Sequence, residues 1–247
     1  MKTKLYIILA LIFCTHTYAQ KNDLNKLNLK GNIKTIREFY LNFTSEDGKI
    51  QTKTLELTYL NTFNNKGNKT EDIKYSSNEK IDKKYQYIQD SSGLRTEQNQ
   101  YNSDGELMRK ITYKYNENNN IIEDNSYSSE GKLEKKFTYK YDKNGYVIED
   151  MSFDSNNKLQ KRFTYSYDKA GNKIENLRFT AQDSLDKKIN FTYDDKNNVI
   201  EEIQTNADGS NISYFYKYEY DTANNWTKKY CFKEKILESI VIRKIEY

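Results

Sequence analysis

Six glutamates recur at one interval. Glu71, Glu97, Glu123, Glu149, Glu175 and Glu201 stand 26 residues apart, and a row of carboxylates suits three kinds of chemistry. Two acids with separated pKa values hydrolyse a glycosidic bond. Several acids together grip a cation or a sugar. Alternatively, each acid braces a tyrosine and a lysine across a sheet, at ~0.2–1 kcal/mol per pair. Catalysis needs one acid unlike the rest, and these six form one periodic set, so no enzyme is expected. Equivalent positions two strands apart lie ~10 Å from one another. That is too far for two of them to share a metal ion at ~2.3–2.6 Å from each oxygen, so neither a metal site nor a cofactor is expected.

The rest of the chemical inventory is short. His16 is the only histidine, which removes Ser-His-Asp and Cys-His pairs and histidine metal sites from the mature chain. No Gly-rich phosphate loop is present. Cys231 reads as a small buried side chain on a late strand. What remains is a set of columns: Tyr113, Tyr139 and Tyr165; Glu123, Glu149 and Glu175; Lys135 and Lys161. Together they would offer flat rings with polar tips and charges of both signs to a glycan or a protein. Reflecting the chain about the turn near Ala170 sets Tyr165 opposite Glu175, Lys161 opposite Phe179 and Lys187 diagonal to Glu175.

The elements that carry these columns are repeats. Gly67, Gly93, Asn119, Gly145, Gly171 and Asn197 keep the same interval of 26, and Asn224 follows 27 later. A period of this size means one small unit stacked many times. Within a unit, Leu159, Lys161, Phe163, Tyr165 and Tyr167 alternate with Gln160, Arg162, Thr164 and Ser166, which is a half-buried strand. Asp168 to Asn172 is a turn, in which Asp bonds its own backbone and Gly supplies positive φ. Asn116, Asp142, Asp194 and Asp221 open the equivalent turns. Lys173 to Phe179 is the return strand. Asp104-Gly105 and Glu130-Gly131 make the turns at the other end.

The fold class is therefore all-β, an antiparallel meander of hairpins with about 14–16 strands by its turn signals. The expectation is an extended twisted or coiled sheet, since strands twist by roughly 20–25° each. A longer hairpin through Glu46-Asp47-Gly48-Lys49 marks the first unit. Residues 20–247 form one domain, with atypical units at about 29–60 and 215–247 that would cap exposed edges. The 23 Tyr and 11 Phe argue for a folded chain despite a charged content of 31%, and the absence of proline suits strands that need every N–H.

The N-terminus reads as a targeting segment. Lys2 and Lys4 precede an apolar run from Leu5 to Phe13, and Thr17-Tyr18-Ala19 suits cleavage after Ala19. Lipidation at Cys14 is the alternative, with Phe13 a poor lipobox residue. Removing residues 1–19 lowers the formal charge of +4 by Lys2 and Lys4 to about +2, which gives no pull toward nucleic acid. A membrane β-barrel would place Lys83, Arg109, Lys135, Lys161 and Lys187 on its lipid face, at ~2–4 kcal/mol for each such charge near the midplane. No membrane span is expected once the segment is removed.

Tyr139-Lys140-Tyr141-Asp142-Lys143-Asn144-Gly145 and Tyr165-Ser166-Tyr167-Asp168-Lys169-Ala170-Gly171-Asn172-Lys173-Ile174 resemble the YD repeat of the Rhs family. Weaker copies start at Tyr113, Phe191 and Tyr218, so the resemblance covers roughly residues 55–230. Asn116 departs from the pattern in place of Asp, and Asn119, Asn197 and Asn224 in place of Gly. The C-terminal segments Asn225–Lys229 and Ile242–Tyr247 are similar to the ends of many exported Bacteroidota proteins. The resemblance implies spiralling β-sheet, surface or secreted placement, and roles in toxin shells or in carbohydrate and protein binding. The chain has no self-cleavage motif and no toxin domain. It is expected to be an exported, non-enzymatic module at the cell envelope that binds a glycan or a protein. The alternative is an immunity or accessory protein of a contact-dependent toxin system.

Overall fold

The computed structural model describes residues 22–46, 49–52 and 55–247. The targeting segment 1–19, with Cys14 and His16, lies outside the described residues, as do Asp47 and Gly48. One helical turn, α1 (Asp23–Lys26), comes first, followed by β1 (Thr35–Glu46), β2 (Lys49–Thr52), β3 (Glu56–Phe63), β4 (Lys69–Tyr75), β5 (Ile81–Gln89) and β6 (Arg95–Tyr101). The repeat continues with β7 (Leu107–Tyr115), β8 (Ile121–Ser128), β9 (Leu133–Tyr141), β10 (Val147–Asp154), β11 (Leu159–Tyr167) and β12 (Lys173–Thr180). The chain ends in β13 (Leu185–Tyr193), β14 (Val199–Asn206), β15 (Asn211–Tyr220), β16 (Trp226–Lys233) and β17 (Ile236–Glu246).

The turns explain the period. At Asp168 the N–H donates to the Asn172 carbonyl, and the Asp168 carbonyl accepts from the Gly171 N–H. Its Oδ1 accepts from the N–H groups of Ala170 and Asn172 at 2.9 and 2.8 Å. Asn116, Asp142, Asp194 and Asp221 do the same in their own turns. The fourth residue of each loop must be left-handed, with φ 87° at Gly171 and 62° at Asn197. Only Gly adopts this freely and Asn with little penalty, so these two types keep the beat.

Each hairpin also holds one extra residue at a fixed place. In β11–β12 the register runs Tyr165↔Asn176 and Ser166↔Glu175, then slips to Tyr167↔Lys173, which leaves Ile174 unopposed. The same slip leaves out Ile122 beside β7, Ile148 beside β9 and Ile200 beside β13. Side chains alternate faces, so a one-residue β-bulge moves everything beyond it to the other face. The pairing expected from simple reflection is corrected accordingly. Tyr165 faces Asn176 and not Glu175, and Lys161 faces Thr180 while Arg162 takes Phe179. Lys188, not Lys187, reaches Glu175, at 2.7 Å.

The strand past each bulge is held by a tyrosine. Tyr115, Tyr141, Tyr167 and Tyr193 donate their hydroxyls to the carbonyls of Arg95, Ile121, Val147 and Lys173 at 2.6, 2.6, 2.7 and 2.7 Å. Burial pushes the Tyr115, Tyr141 and Tyr167 phenols up to about 12, so they remain donors at any physiological pH.

The expected extended or coiled sheet is instead a closed barrel. β3 to β17 form one antiparallel meander, and β1 pairs with β17 on one side, from Thr35↔Glu246 to Asn42↔Ser239, and with β3 on the other. Sixteen strands thus make the wall, while β2 pairs with the outer end of β1 and prolongs one rim. The two atypical terminal units pair with each other instead of capping free edges. Closure satisfies the backbone groups that both edges would leave unpaired. A small apolar core of Leu24, Leu29, Ile33, Ile36 and Phe63, packed by Ile245, sits where the chain enters β1.

Candidate ligand-binding lumen

The N-terminal segment shows which face of the wall is inside. Asn22 caps α1 by accepting from the Asn25 N–H, and Leu24 donates its N–H to the Gly67 carbonyl at 3.0 Å. Asp23 Oδ2 accepts from Arg95 Nη2 of β6 at 2.9 Å. Five residues on, Asn28 Nδ2 donates to the carbonyl of Lys196, just before β14, at 2.7 Å. Round the wall, β6 and β14 are eight strand spacings apart in either direction, about 38 Å. Five residues reach at most about 17 Å, so the segment crosses the barrel mouth. Lys30 and Asn225 then exchange two hydrogen bonds, at 2.8 and 2.7 Å, before the chain enters the wall.

Arg95 therefore points inward, and the registers carry its face around the barrel. The inner face holds Tyr87, Tyr113, Tyr139 and Tyr165, with Asp72, Gln98, Asp124 and Asp150 fifteen residues before each. Tyr87 donates to Asp72 at 2.7 Å, Tyr113 to Gln98 at 3.1 Å and Tyr139 to Asp124 at 2.5 Å, and Tyr165 donates to Asp150. Burial raises the Asp124 and Asp150 carboxyls above the usual range. Lys135 and Lys161 are also inward, paired with Ser126 and Ser152 near the far mouth.

Glu123, Glu149 and Glu175 lie on the outer face. They pair with Lys114, Lys140 and Lys188 at 2.7, 2.6 and 2.7 Å. Hydrogen bonds from Lys114 and then Asn125 hold the Glu123 carboxyl below its usual range. The expected site is thus divided by the wall: three tyrosines and two lysines inside, three glutamates outside. The bulge is the cause, since without it all three columns would share one face. Cys231 is half-buried on the inner face, and burial raises its thiol.

Beneath the crossing segment lies a cavity of about 390 Å³. The segment contributes Lys26 and Asn28, and the wall contributes Glu202, Tyr216, Tyr218 and Lys229. Tyr216 donates to Glu202 at 3.3 Å and Tyr218 to the Val199 carbonyl at 2.7 Å. Lys229 stands 5.5 Å from the Tyr216 ring centre and 5.7 Å from that of Trp226. Beside it, Arg243 lies 3.5 Å over Trp226 and donates to Glu38 at 2.8 Å. Burial lowers the Lys26 ammonium, although Asp23 opposes it. The cavity thus offers aromatic faces, amides and both signs of charge, a lining that suits a polyhydroxylated ligand. None of these six was expected as a binding residue from sequence, although Tyr218 opens a weaker copy of the motif and Lys229 ends the segment Asn225–Lys229. The available signal was Glu202, which continues the 26-residue column of Asp72, Gln98, Asp124, Asp150 and Asn176.

Among the described residues no helix is long and apolar enough to cross a membrane, so the outer wall is what bears on lipid. The charges expected on the lipid face of a membrane barrel, Lys83, Arg109, Lys135, Lys161 and Lys187, face inward instead. Outward-facing charges are different ones: Lys84–Glu71, Lys110–Glu97, Lys188–Glu175 and their equivalents, set in mid-strand. Each lysine there would cost ~2–4 kcal/mol at a bilayer midplane.

No protein-family model matches the sequence, and no curated protein matches it. Among solved structures, a porin-like protein from Bacteroides uniformis superposes with a TM-score of 0.59 at 12% identity, over 87% of this chain and 96% of that one. This likeness concerns the fold: an all-β antiparallel barrel. A porin-like protein from Bacteroides vulgatus and the TcdB2-TccC3-Cdc42 complex reach TM-scores of only 0.40 and 0.31, the latter over 14% of that chain.

Proposed function

We propose that this chain is an exported, non-enzymatic binding protein of the cell envelope that takes a glycan into its barrel. The observation that carries the reading is the cavity under the N-terminal segment, where Tyr216 and Tyr218 lie among Lys26, Asn28, Glu202 and Lys229. Aromatic faces with polar tips beside amides and charges match the alternating apolar faces and hydroxyls of a sugar. The ionic outer wall favours a barrel that stands in water, in the periplasm or on the surface, over one that spans lipid. The lumenal acids favour binding over hydrolysis, because Asp72, Asp124 and Asp150 each accept a tyrosine hydroxyl and are committed to the wall.

The test is calorimetric titration of the exported chain with a panel of oligosaccharides, repeated with Tyr216→Ala and Lys229→Gln. Binding that weakens about tenfold or more in both variants supports the proposal. A panel that gives no heat, or variants that bind as the parent does, would reject it. Capture of one toxin-like protein with no saccharide would favour the accessory or immunity role that the motif resemblance suggests.

A further inference from the structure

The two faces of the wall treat their cations differently. Outside, five of the six periodic glutamates, Glu71 to Glu175, meet a lysine across the strands, as in Lys110–Glu97 at 2.8 Å and Lys140–Glu149 at 2.6 Å. Inside, toward the mouth away from the N-terminal segment, cations face cations. Lys74 is directly opposite Lys83, and Arg178 is directly opposite Lys187. Like charges in register destabilise a sheet, and a purely structural role would be met by the outer pattern.

The acids that reach these cations are too few to match them. Asp82 serves Lys74 at 2.8 Å and Glu134 serves Arg109 at 3.0 Å. Asp186 is shared between Arg178 at 2.6 Å and Lys161 at 3.5 Å. Lys187 turns to the amide oxygen of Gln204, and Lys135 lies 4.5 Å from the centre of the Phe137 ring. Lys161, Arg178 and Lys187, from three consecutive strands, thus have one carboxylate among them. They also keep access to solvent, with 44% of the Lys161 side chain and 34% of that of Arg178 exposed. The column Lys83, Arg109, Lys135, Lys161 and Lys187 repeats on alternate strands, about 10 Å apart. Near that mouth the concave wall carries more cations than acids, and such an excess concentrates ligands of the opposite sign.

We infer that this lumenal column recognises the acidic groups of an anionic glycan, carboxylate or sulfate, in preference to a neutral one. The inference rests on the reading of the lumen as a glycan site and names the class of glycan. It is tested with the full chain by titrating oligogalacturonate, a chondroitin sulfate oligosaccharide and a neutral malto-oligosaccharide at about 50 and about 300 mM NaCl. The acidic probes should bind about tenfold tighter than the neutral one and weaken by a similar factor at the higher salt. Tighter binding of oligogalacturonate assigns carboxylate, and of chondroitin sulfate, sulfate. The double variant Lys161→Gln, Lys187→Gln should lose about tenfold for the acidic probe. It should melt no lower than the parent, because a like-charge pair has been removed. The outer-face variant Lys188→Gln should bind within about twofold of the parent.

Equal affinity for neutral and acidic probes would overturn the inference, as would an equal loss in Lys188→Gln. A neutral glycan held at parental strength by the double variant, with no gain for acidic probes, would overturn this inference and leave the glycan reading standing. If no saccharide binds at all, both fall.

Discussion

Phe191 stands where Tyr139 and Tyr165 stand in the preceding units, and Asn176, the polar residue fifteen positions before it, has a buried Oδ1 that no donor reaches. In the other units that place is filled by a tyrosine hydroxyl, as between Tyr139 and Asp124. The repeat has lost one oxygen and left its acceptor unsatisfied.

Replacing Phe191 with Tyr should therefore stabilise the barrel by about 0.5–1.5 kcal/mol, the net worth of one hydrogen bond. Thermal unfolding should show a rise of about 2–4 °C. An unchanged or lower midpoint would mean that the lumen there has no room for the hydroxyl.

Asp150 gives a pH test. Burial raises its carboxyl, so the folded state binds this proton more tightly than the unfolded state. Its contribution to stability is full at a pH below the unfolded value and is lost as pH rises through the folded value. Asp150→Asn keeps an acceptor for Tyr165 and removes the buried charge. The variant should be more stable than the parent at pH 7, and the gain should shrink as pH falls through the raised folded value and vanish below the unfolded value of about 4. Denaturant unfolding across that range decides it. A gain independent of pH would remove ionisation as the cause.

Two glycines with similar backbone geometry should differ in their tolerance of alanine. Gly145 and Gly171 have φ of 80° and 87°, strained for any L side chain. A Cβ at Gly145 meets open space, whereas at Gly171 it runs into the Tyr146 ring, which stacks on Tyr167 at 4.9 Å. Gly145→Ala should cost about 1–2 kcal/mol, the left-handed penalty alone. Gly171→Ala should cost at least about 1 kcal/mol more, from overpacking. Equal losses in denaturant titrations would show that Tyr146 moves freely.

The crossing segment is anchored through Asp23, which accepts from the Lys69 N–H at 2.8 Å as well as from Arg95. Asp23→Ala should destabilise the segment locally by about 1.5–3 kcal/mol, as expected for hydrogen bonds to a charged group. Hydrogen exchange should then quicken at the Leu24 and Leu29 amides while β7 to β12 keep their protection. Uniform loss across the barrel would show that segment and wall unfold as one unit.

Much of this architecture is local, and local features are legible in the sequence. The beat of Gly and Asn, with Asp or Asn three residues before each, dictates left-handed loops, and the alternation in Leu159–Tyr167 dictates strands, because both depend on near neighbours in the chain. Two things required the tertiary structure. Closure depends on β1 meeting β17 across some two hundred residues, Thr35 with Glu246, and no periodicity encodes a contact between the two least regular units. The division of Tyr165 from Glu175 depends on a single extra residue, Ile174. A strand alternates sides at every residue, so one unopposed position was enough to send the tyrosines into the lumen and the glutamates to the outer wall.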